Sequence, residues 1–82
     1  AYHRNAVRYL RRMPSDRKEQ VKSRIAELAR LENPIDHPNV TRMVGDWAGC
    51  ARLRIGGYRA IFRIADDRLE VLHVGPRGDV YG

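Results

Sequence analysis

The chain has 82 residues, 43 % of them apolar and 32 % charged, which is the composition of one small folded domain over residues 1–82 rather than of a disordered segment. Sixteen Lys and Arg against ten Asp and Glu give a net charge of +6, which favours a polyanionic partner but also fits a basic surface that serves solubility alone. Because no apolar run reaches roughly 18 residues and no signal peptide opens the chain, we expect a cytoplasmic protein without membrane contact.

The first predicted element is a short helix. Asn5 is placed to cap its start, and Pro14 ends it. Its apolar residues recur at the spacing of one helical face; they are Ala6, Leu10 and Met13, with Tyr9 beside them. Before this helix, Tyr2 and His3 are candidates for part of an N-terminal strand.

A second helix follows almost at once. Ser15 or Asp16 is predicted to cap it, and Asp16 with Glu19 has the spacing of a capping box. The predicted buried stripe consists of Val21, Ile25, Leu28 and Ala29, and the pair Asn33-Pro34 stops the helix. Two antiparallel helices joined by so short a turn form a hairpin, which needs a further layer to cover its apolar face.

Near residue 42 the period of the pattern changes from 3.6 to two, which predicts strands. An ordered loop leads into a brief strand at 42–44. Residues 50–55 then alternate, with Leu53 and Ile55 on one face and Arg52 and Arg54 on the other. Gly56-Gly57 is typical of a tight hairpin that needs positive φ angles.

After this hairpin, the sequence pattern predicts a second strand at 58–65, a turn at Asp66-Asp67 and a third strand at 69–74. Gly75, Pro76 and Gly78 predict a loop that presents Arg77. The sequence therefore predicts an α+β fold in which an N-terminal helical hairpin packs on a small, mainly antiparallel β-sheet.

Fourteen of the sixteen basic residues are Arg, whose planar guanidinium binds phosphate bidentately and stacks on bases. The spacing of the strands could bring four of them to one surface: Arg52, Arg54, Arg59 and Arg77. No metal or cofactor is expected, because Cys50 is the only Cys and the carboxylates of Asp66 and Asp67 have no further ligand nearby in sequence.

The order of these parts resembles a toxin of the RelE/ParE superfamily, closest to the RelE branch. The resemblance rests on a helical hairpin followed by a strand with Arg-Leu-Arg, a Gly-Tyr-Arg hairpin, an Asp-Asp turn and a Val-Gly-x-Arg segment that ends in Val-Tyr. It implies a RelE-like fold and the toxin role in a type II toxin-antitoxin system. The RelE branch is a ribosome-dependent endoribonuclease that cleaves messenger RNA in the A site and inhibits translation; the alternative is the ParE branch, which inhibits DNA gyrase.

The resemblance also implies roles for particular residues. Catalytic roles fall on Arg59, Arg77 and Tyr81, and RNA binding falls on Arg52 and Arg54. The implied partners are the ribosome, messenger RNA and a cognate antitoxin in a hetero-oligomeric complex. We expect the antitoxin to supply an acidic amphipathic segment that folds as it binds the basic surface.

The chain departs from the family in one respect. Where the family member has two Lys on the first long strand, this chain has Cys50 and Arg52. Arg stabilises negative charge well but is a poor general base. His73 is the one His near the basic strands, yet it alternates with Val71 and is expected to be a packed or edge residue; ribosomal RNA is the other source of acid-base chemistry.

Several residues have a structural interpretation beside the functional one. Tyr81 either stacks on a base or packs on the sheet. Tyr58 is assigned to the core. Trp47 either anchors its loop on the core, which is the favoured interpretation, or is exposed for a partner. Arg63 and Arg68 are assigned to solvated strand and turn positions. A plain RNA-binding module without chemistry is the third functional class.

Overall fold

The computed structural model describes residues 1–76 of the chain. In that part, two helices precede a sheet; they are α1 (Arg4–Arg12) and α2 (Ser15–Ala29), and the strands are β1 (Val40–Arg42), β2 (Ala51–Ile55), β3 (Tyr58–Ala65) and β4 (Arg68–Pro76). Short 3-10 turns at Pro34–Asp36 and Gly45–Trp47 flank β1. The predicted α+β fold is confirmed. No helix among these residues is long and apolar enough to cross a membrane.

The four strands lie in the order β1-β2-β3-β4, and each neighbouring pair is antiparallel. β1 begins two residues before the predicted position, because its ends are set by pairing with β2. At the β2–β3 turn only Gly56 has a positive φ, of 57°. At the β3–β4 turn both Asp66 and Asp67 are left-handed, with φ of 52° and 60°, as a two-residue turn of the mirror-image type requires.

The N-terminal residues extend the sheet beyond β4. Tyr2 forms a parallel bridge with Val71, the amide of His3 donates to the Val71 carbonyl at 2.8 Å, and the amide of Val71 donates to the Ala1 carbonyl at 2.8 Å. Where the sequence predicted part of a strand at Tyr2 and His3, the structure has this isolated bridge at Tyr2. This pairing places α1 directly after the bridge.

The N-cap residues of both helices lie one or two residues before the predicted caps. The N-cap of α1 is His3, whereas Asn5 lies inside the helix. The N-cap of α2 is Pro14, whose carbonyl accepts from the amide of Lys18 at 2.9 Å, and it makes no side-chain cap. The predicted caps at Asn5, Ser15 and Asp16 are therefore wrong, because the bridge to β4 and the sharp turn at Pro14 fix where the helices start.

The core lies between the helices and one face of the sheet. It consists of Ala6, Leu10, Met13, Val21, Ile25, Leu28, Ala51, Leu53, Ile55, Ala60, Phe62, Val71 and Val74. Ala29 is exposed and Trp47 lies outside the core, so both of these predictions are wrong. Tyr58 is half-buried against the core, with its ring edge-on to that of Tyr9 at 6.5 Å between centroids.

A register shift interrupts the pairing of β3 with β4. Phe62 pairs with Val71, but Ile61 pairs with His73, so Leu72 is an extra residue on β4. A bulge of this kind reverses the facing of the residues that follow it. His73 therefore lies on the face opposite Val71, which corrects the alternation read from the sequence.

The Glu70→Gln variant tests an ion pair on this sheet. The Arg63 Nε donates to Glu70 Oε1 at 2.7 Å, and His3 Nε2 lies 3.9 Å from the same oxygen. The hydrogen bond from Arg63 lowers the pKa of Glu70, with further contributions from the charges of Arg63, His3 and the N-terminus. The folded state favours the ionised form of Glu70. The ionised carboxylate therefore stabilises the folded protein above the ordinary glutamate pKa, and this stabilisation is lost as the pH falls through the lowered pKa.

We therefore expect Glu70→Gln to be slightly less stable than the parent chain at neutral pH and equal to it in acid. Urea unfolding midpoints across this pH range measure the difference. A gap between the two proteins that does not shrink on acidification would contradict the assignment.

Candidate nucleic-acid interface

The outer face of the sheet, defined here as the side away from the helices, collects the basic strand residues. Residues directly opposite each other in an antiparallel sheet point to the same side. One row across the strands is therefore Thr41, Arg52, Ile61 and His73, and the next is Arg54, Arg59 and Gly75. The alternation of β2 thus places Arg52 and Arg54 opposite the buried Leu53 and Ile55, as the sequence predicted.

Three of the predicted site residues line one concavity. This arginine cleft has a volume of about 150 Å³, and its walls are Pro38, Asn39, Thr41, Arg52, Arg54 and Arg59. The loop before β1 is fixed there, since the Arg54 amide donates to the Asn39 carbonyl at 3.0 Å and the Asn39 amide donates to His37 Nδ1 at 3.0 Å. Because one water occupies about 30 Å³ in the liquid, the cleft has room for a phosphate group.

Among the described residues that line the arginine cleft, the charged side chains are all positive. Arg54 and Arg59 are a directly opposed pair on β2 and β3, and like charges in that position destabilise a sheet. Arg59 and Arg52 are half-buried, whereas Arg54 is exposed. None of the described residues that line the cleft is acidic. Such a cleft attracts an anion, and guanidinium groups bind phosphate oxygens well.

A proton acceptor is not among the cleft residues. The described lining contains no His, Lys, Asp or Glu. His73 lies on the outer face as a diagonal neighbour of Arg59, a position in which residues stand about 7–8 Å apart and their Cβ atoms somewhat less. It is half-buried, and its Nδ1 is buried without a hydrogen-bond partner among residues 1–76.

The two remaining predicted residues, Arg77 and Tyr81, lie outside the described residues. β4 ends beside the arginine cleft, because Gly75 pairs with Arg59 and Pro76 pairs with Tyr58. The structure thus brings Arg52, Arg54 and Arg59 together in the arginine cleft, while the roles of Arg77 and Tyr81 stay predictions.

The family model for the ParE toxin of the type II toxin-antitoxin system, parDE, matches residues 1–81. The chain belongs to this family. The toxin is thereby placed in the RelE/ParE superfamily, as its motifs predicted. No curated protein is similar enough in sequence to be counted as a relative.

Solved structures with the same fold come from the RelE and YoeB toxins. The archaeal RelE-RelB complex of Pyrococcus horikoshii is 24 % identical with a TM-score of 0.75, over 95 % of this chain and 92 % of that chain. A mutant of the E. coli toxin RelE in the free state is 28 % identical with a TM-score of 0.70, over 98 % and 85 %. The YoeB-YefM complex of Staphylococcus aureus is 10 % identical with a TM-score of 0.72, over 90 % of both chains.

Sequence reasoning missed a second concavity of the toxin, which borders the arginine cleft. This tryptophan pocket has a volume of about 270 Å³, and its lining is Thr41, Arg42, Met43, Val44, Trp47 and Arg52. Val44 is 85 % exposed, which is unusual for so apolar a side chain. The signal in the sequence is the apolar pair Met43-Val44 close to Trp47. The sequence pattern places Met43-Val44 in a strand and favours the core for Trp47.

Proposed function

We propose that the toxin is a ribosome-dependent endoribonuclease that cleaves messenger RNA in the A site and so inhibits translation. The observation that carries the proposal is the arginine cleft, where Arg52, Arg54 and Arg59 surround a space of phosphate size. In the cleavage step the 2′-oxygen bonds to the neighbouring phosphorus as its hydroxyl proton is removed, and the bond to the 5′-oxygen of the next nucleotide breaks as that oxygen leaves and takes up a proton. The pentacoordinate centre between these events carries extra negative charge. Preorganised cationic donors stabilise such charge. The RelE and YoeB folds support the same activity.

In this proposal each predicted residue has a distinct task. Arg52 and Arg54 bind the RNA backbone, while Arg59 and Arg77 neutralise the charge that develops on the scissile phosphate. Tyr81 stacks on a messenger base and holds the RNA in line for attack. Since Arg does not take up a proton readily, His73 or the ribosome supplies the proton acceptor in this proposal.

Inhibition of DNA gyrase is the second candidate function. Two observations favour it: the matching family model is that of the ParE toxin, and the described lining of the arginine cleft contains no general base. A gyrase inhibitor needs a protein-binding surface and no catalytic group.

The proposed partner in the cell is a cognate antitoxin, in a hetero-oligomeric complex in the cytoplasm. Solved relatives were determined as RelE-RelB complexes. An acidic amphipathic segment complements the net charge of +6 and would cover the outer face.

Induction of the toxin without its antitoxin separates the two functions. We expect incorporation of labelled amino acids to stop before that of thymidine, and primer extension to show new messenger ends within codons of translated messages. Arrest of DNA synthesis first, with intact messengers, would instead establish the gyrase target.

A further inference from the structure

The tryptophan pocket and the arginine cleft form one continuous surface. They share Thr41 of β1 and Arg52 of β2, which face each other across the β1–β2 pair. One side of these two residues is lined by guanidinium groups. The other side is lined by the apolar Met43 and Val44, the indole of Trp47 and the side chain of Arg42. The surface thus changes from anion-binding to aromatic across the width of one residue pair.

A nucleotide has the same division, with an anionic phosphate joined through ribose to a flat, largely apolar base. An unpaired base stacks on aromatic side chains whatever its sequence, and adjacent Arg residues hold the backbone. Arg42 and Arg52 in the pocket wall supply positive charge beside the indole. A double-stranded segment offers no free base face to Trp47, so the complementary ligand is single-stranded.

We propose that the tryptophan pocket binds a base of single-stranded RNA next to the nucleotide whose phosphate lies in the arginine cleft. The inference rests on the proposed function for the identity of the nucleic acid. Trp47 provides the stacking surface, and Val44 and Met43 cover the edge of the base. The outer face therefore holds the messenger at two adjoining points, and the base contact is independent of the cleavage chemistry.

Trp47 is the only Trp of the chain, so its fluorescence reports this pocket alone. The experiment titrates the antitoxin-free toxin with a four-nucleotide RNA carrying 2′-O-methyl groups, which resists cleavage, and with an abasic backbone of equal length. Fluorescence anisotropy of an end label measures binding of both. We expect the RNA to quench Trp47 and to bind about 5- to 150-fold more tightly than the abasic backbone, which should leave the indole emission unchanged.

Two pairs of variants separate stacking from folding and from charge. Trp47→Leu should reduce RNA affinity to that of the abasic backbone, and Trp47→Phe should recover part of it because a ring is restored. Val44→Glu adds a negative charge to an exposed wall of the pocket and should weaken binding, whereas Leu31→Glu adds the same charge at a site 44 % exposed and outside the pocket. The Leu31→Glu variant should bind the RNA more tightly than the Val44→Glu variant.

Several outcomes would overturn the proposal. These are unquenched Trp47 at RNA concentrations where anisotropy shows binding, equal affinity for RNA and abasic backbone, or no binding of either ligand. Loss of antitoxin affinity in Trp47→Leu with unchanged RNA affinity would make the pocket a protein contact instead. If Trp47 stacks on RNA but the toxin cleaves no messenger, the base-binding proposal stands and the nuclease proposal is refuted. The two proposals can therefore fail separately.

Discussion

Replacing Arg59 by Ala should lower the single-turnover rate of messenger cleavage on programmed ribosomes by about 100- to 1,000-fold. Arg59 is a half-buried member of the arginine cleft, at the pairing position where β4 reaches the cleft through Gly75. In the proposed mechanism its charge acts mainly on the transition state, so ribosome binding should change much less than the rate. Arg59→Lys keeps the charge without the planar donor pair and should recover part of the rate.

The matched control is Arg24→Ala, which removes one positive charge from the exposed surface of α2. It should cleave at the parental rate, and thermal melting should show that both variants are folded. Arg77→Ala is expected to lose as much activity as Arg59→Ala. Parental rates for both the Arg59 and the Arg77 variants would refute the nuclease proposal and favour gyrase as the target.

Phe62→Ala should remove about 3–5 kcal/mol of the free energy of unfolding. Phe62 is 1 % exposed and is the largest of the fully buried side chains among the described residues. It lies between Ala51 and Val71 in the middle of the sheet, so its loss leaves a cavity that neither neighbouring strand can close. A domain of this size has only about 4–12 kcal/mol in total, so the variant should be near its folding limit.

Urea unfolding of the antitoxin-free toxin measures this loss. Ile64→Ala is the control, because Ile64 is on the same strand but is 43 % exposed and should cost less than about 1 kcal/mol. A Phe62→Ala midpoint as high as that of Ile64→Ala would show that the core does not depend on this ring.

The sequence was sufficient wherever local chemistry decides the structure. Alternation alone assigned Arg52 and Arg54 to the face opposite Leu53 and Ile55, since side chains on a strand point to opposite sides in turn. The turn at Asp66-Asp67 also followed from composition, because Asp tolerates the left-handed region better than most residues.

Contacts between distant parts of the chain decided the rest. His3 begins α1 because its amide is held by Val71, far away in sequence, and no local pattern shows that bond. Asn39 and Thr41 entered the arginine cleft because the loop before β1 is bonded to β2. The sequence favours the core for Trp47, whereas the structure leaves it out of the core cluster and places it in the lining of a surface pocket, together with residues of β1 and β2.

The extra residue Leu72 decides which side chains at the end of β4 face the helices and which face outward. Before it Val71 faces the helices, and after it the inward position falls to Val74 instead of His73. Deleting this one residue would remove the bulge and leave His73 opposite Ile61 and Val74 opposite Ala60, whereas a regular ladder that included Leu72 would turn His73 toward the core and Val74 toward solvent. Related chains should therefore be aligned with any single-residue gap at Leu72, because a gap placed in a turn would equate side chains that lie on opposite sides of the sheet.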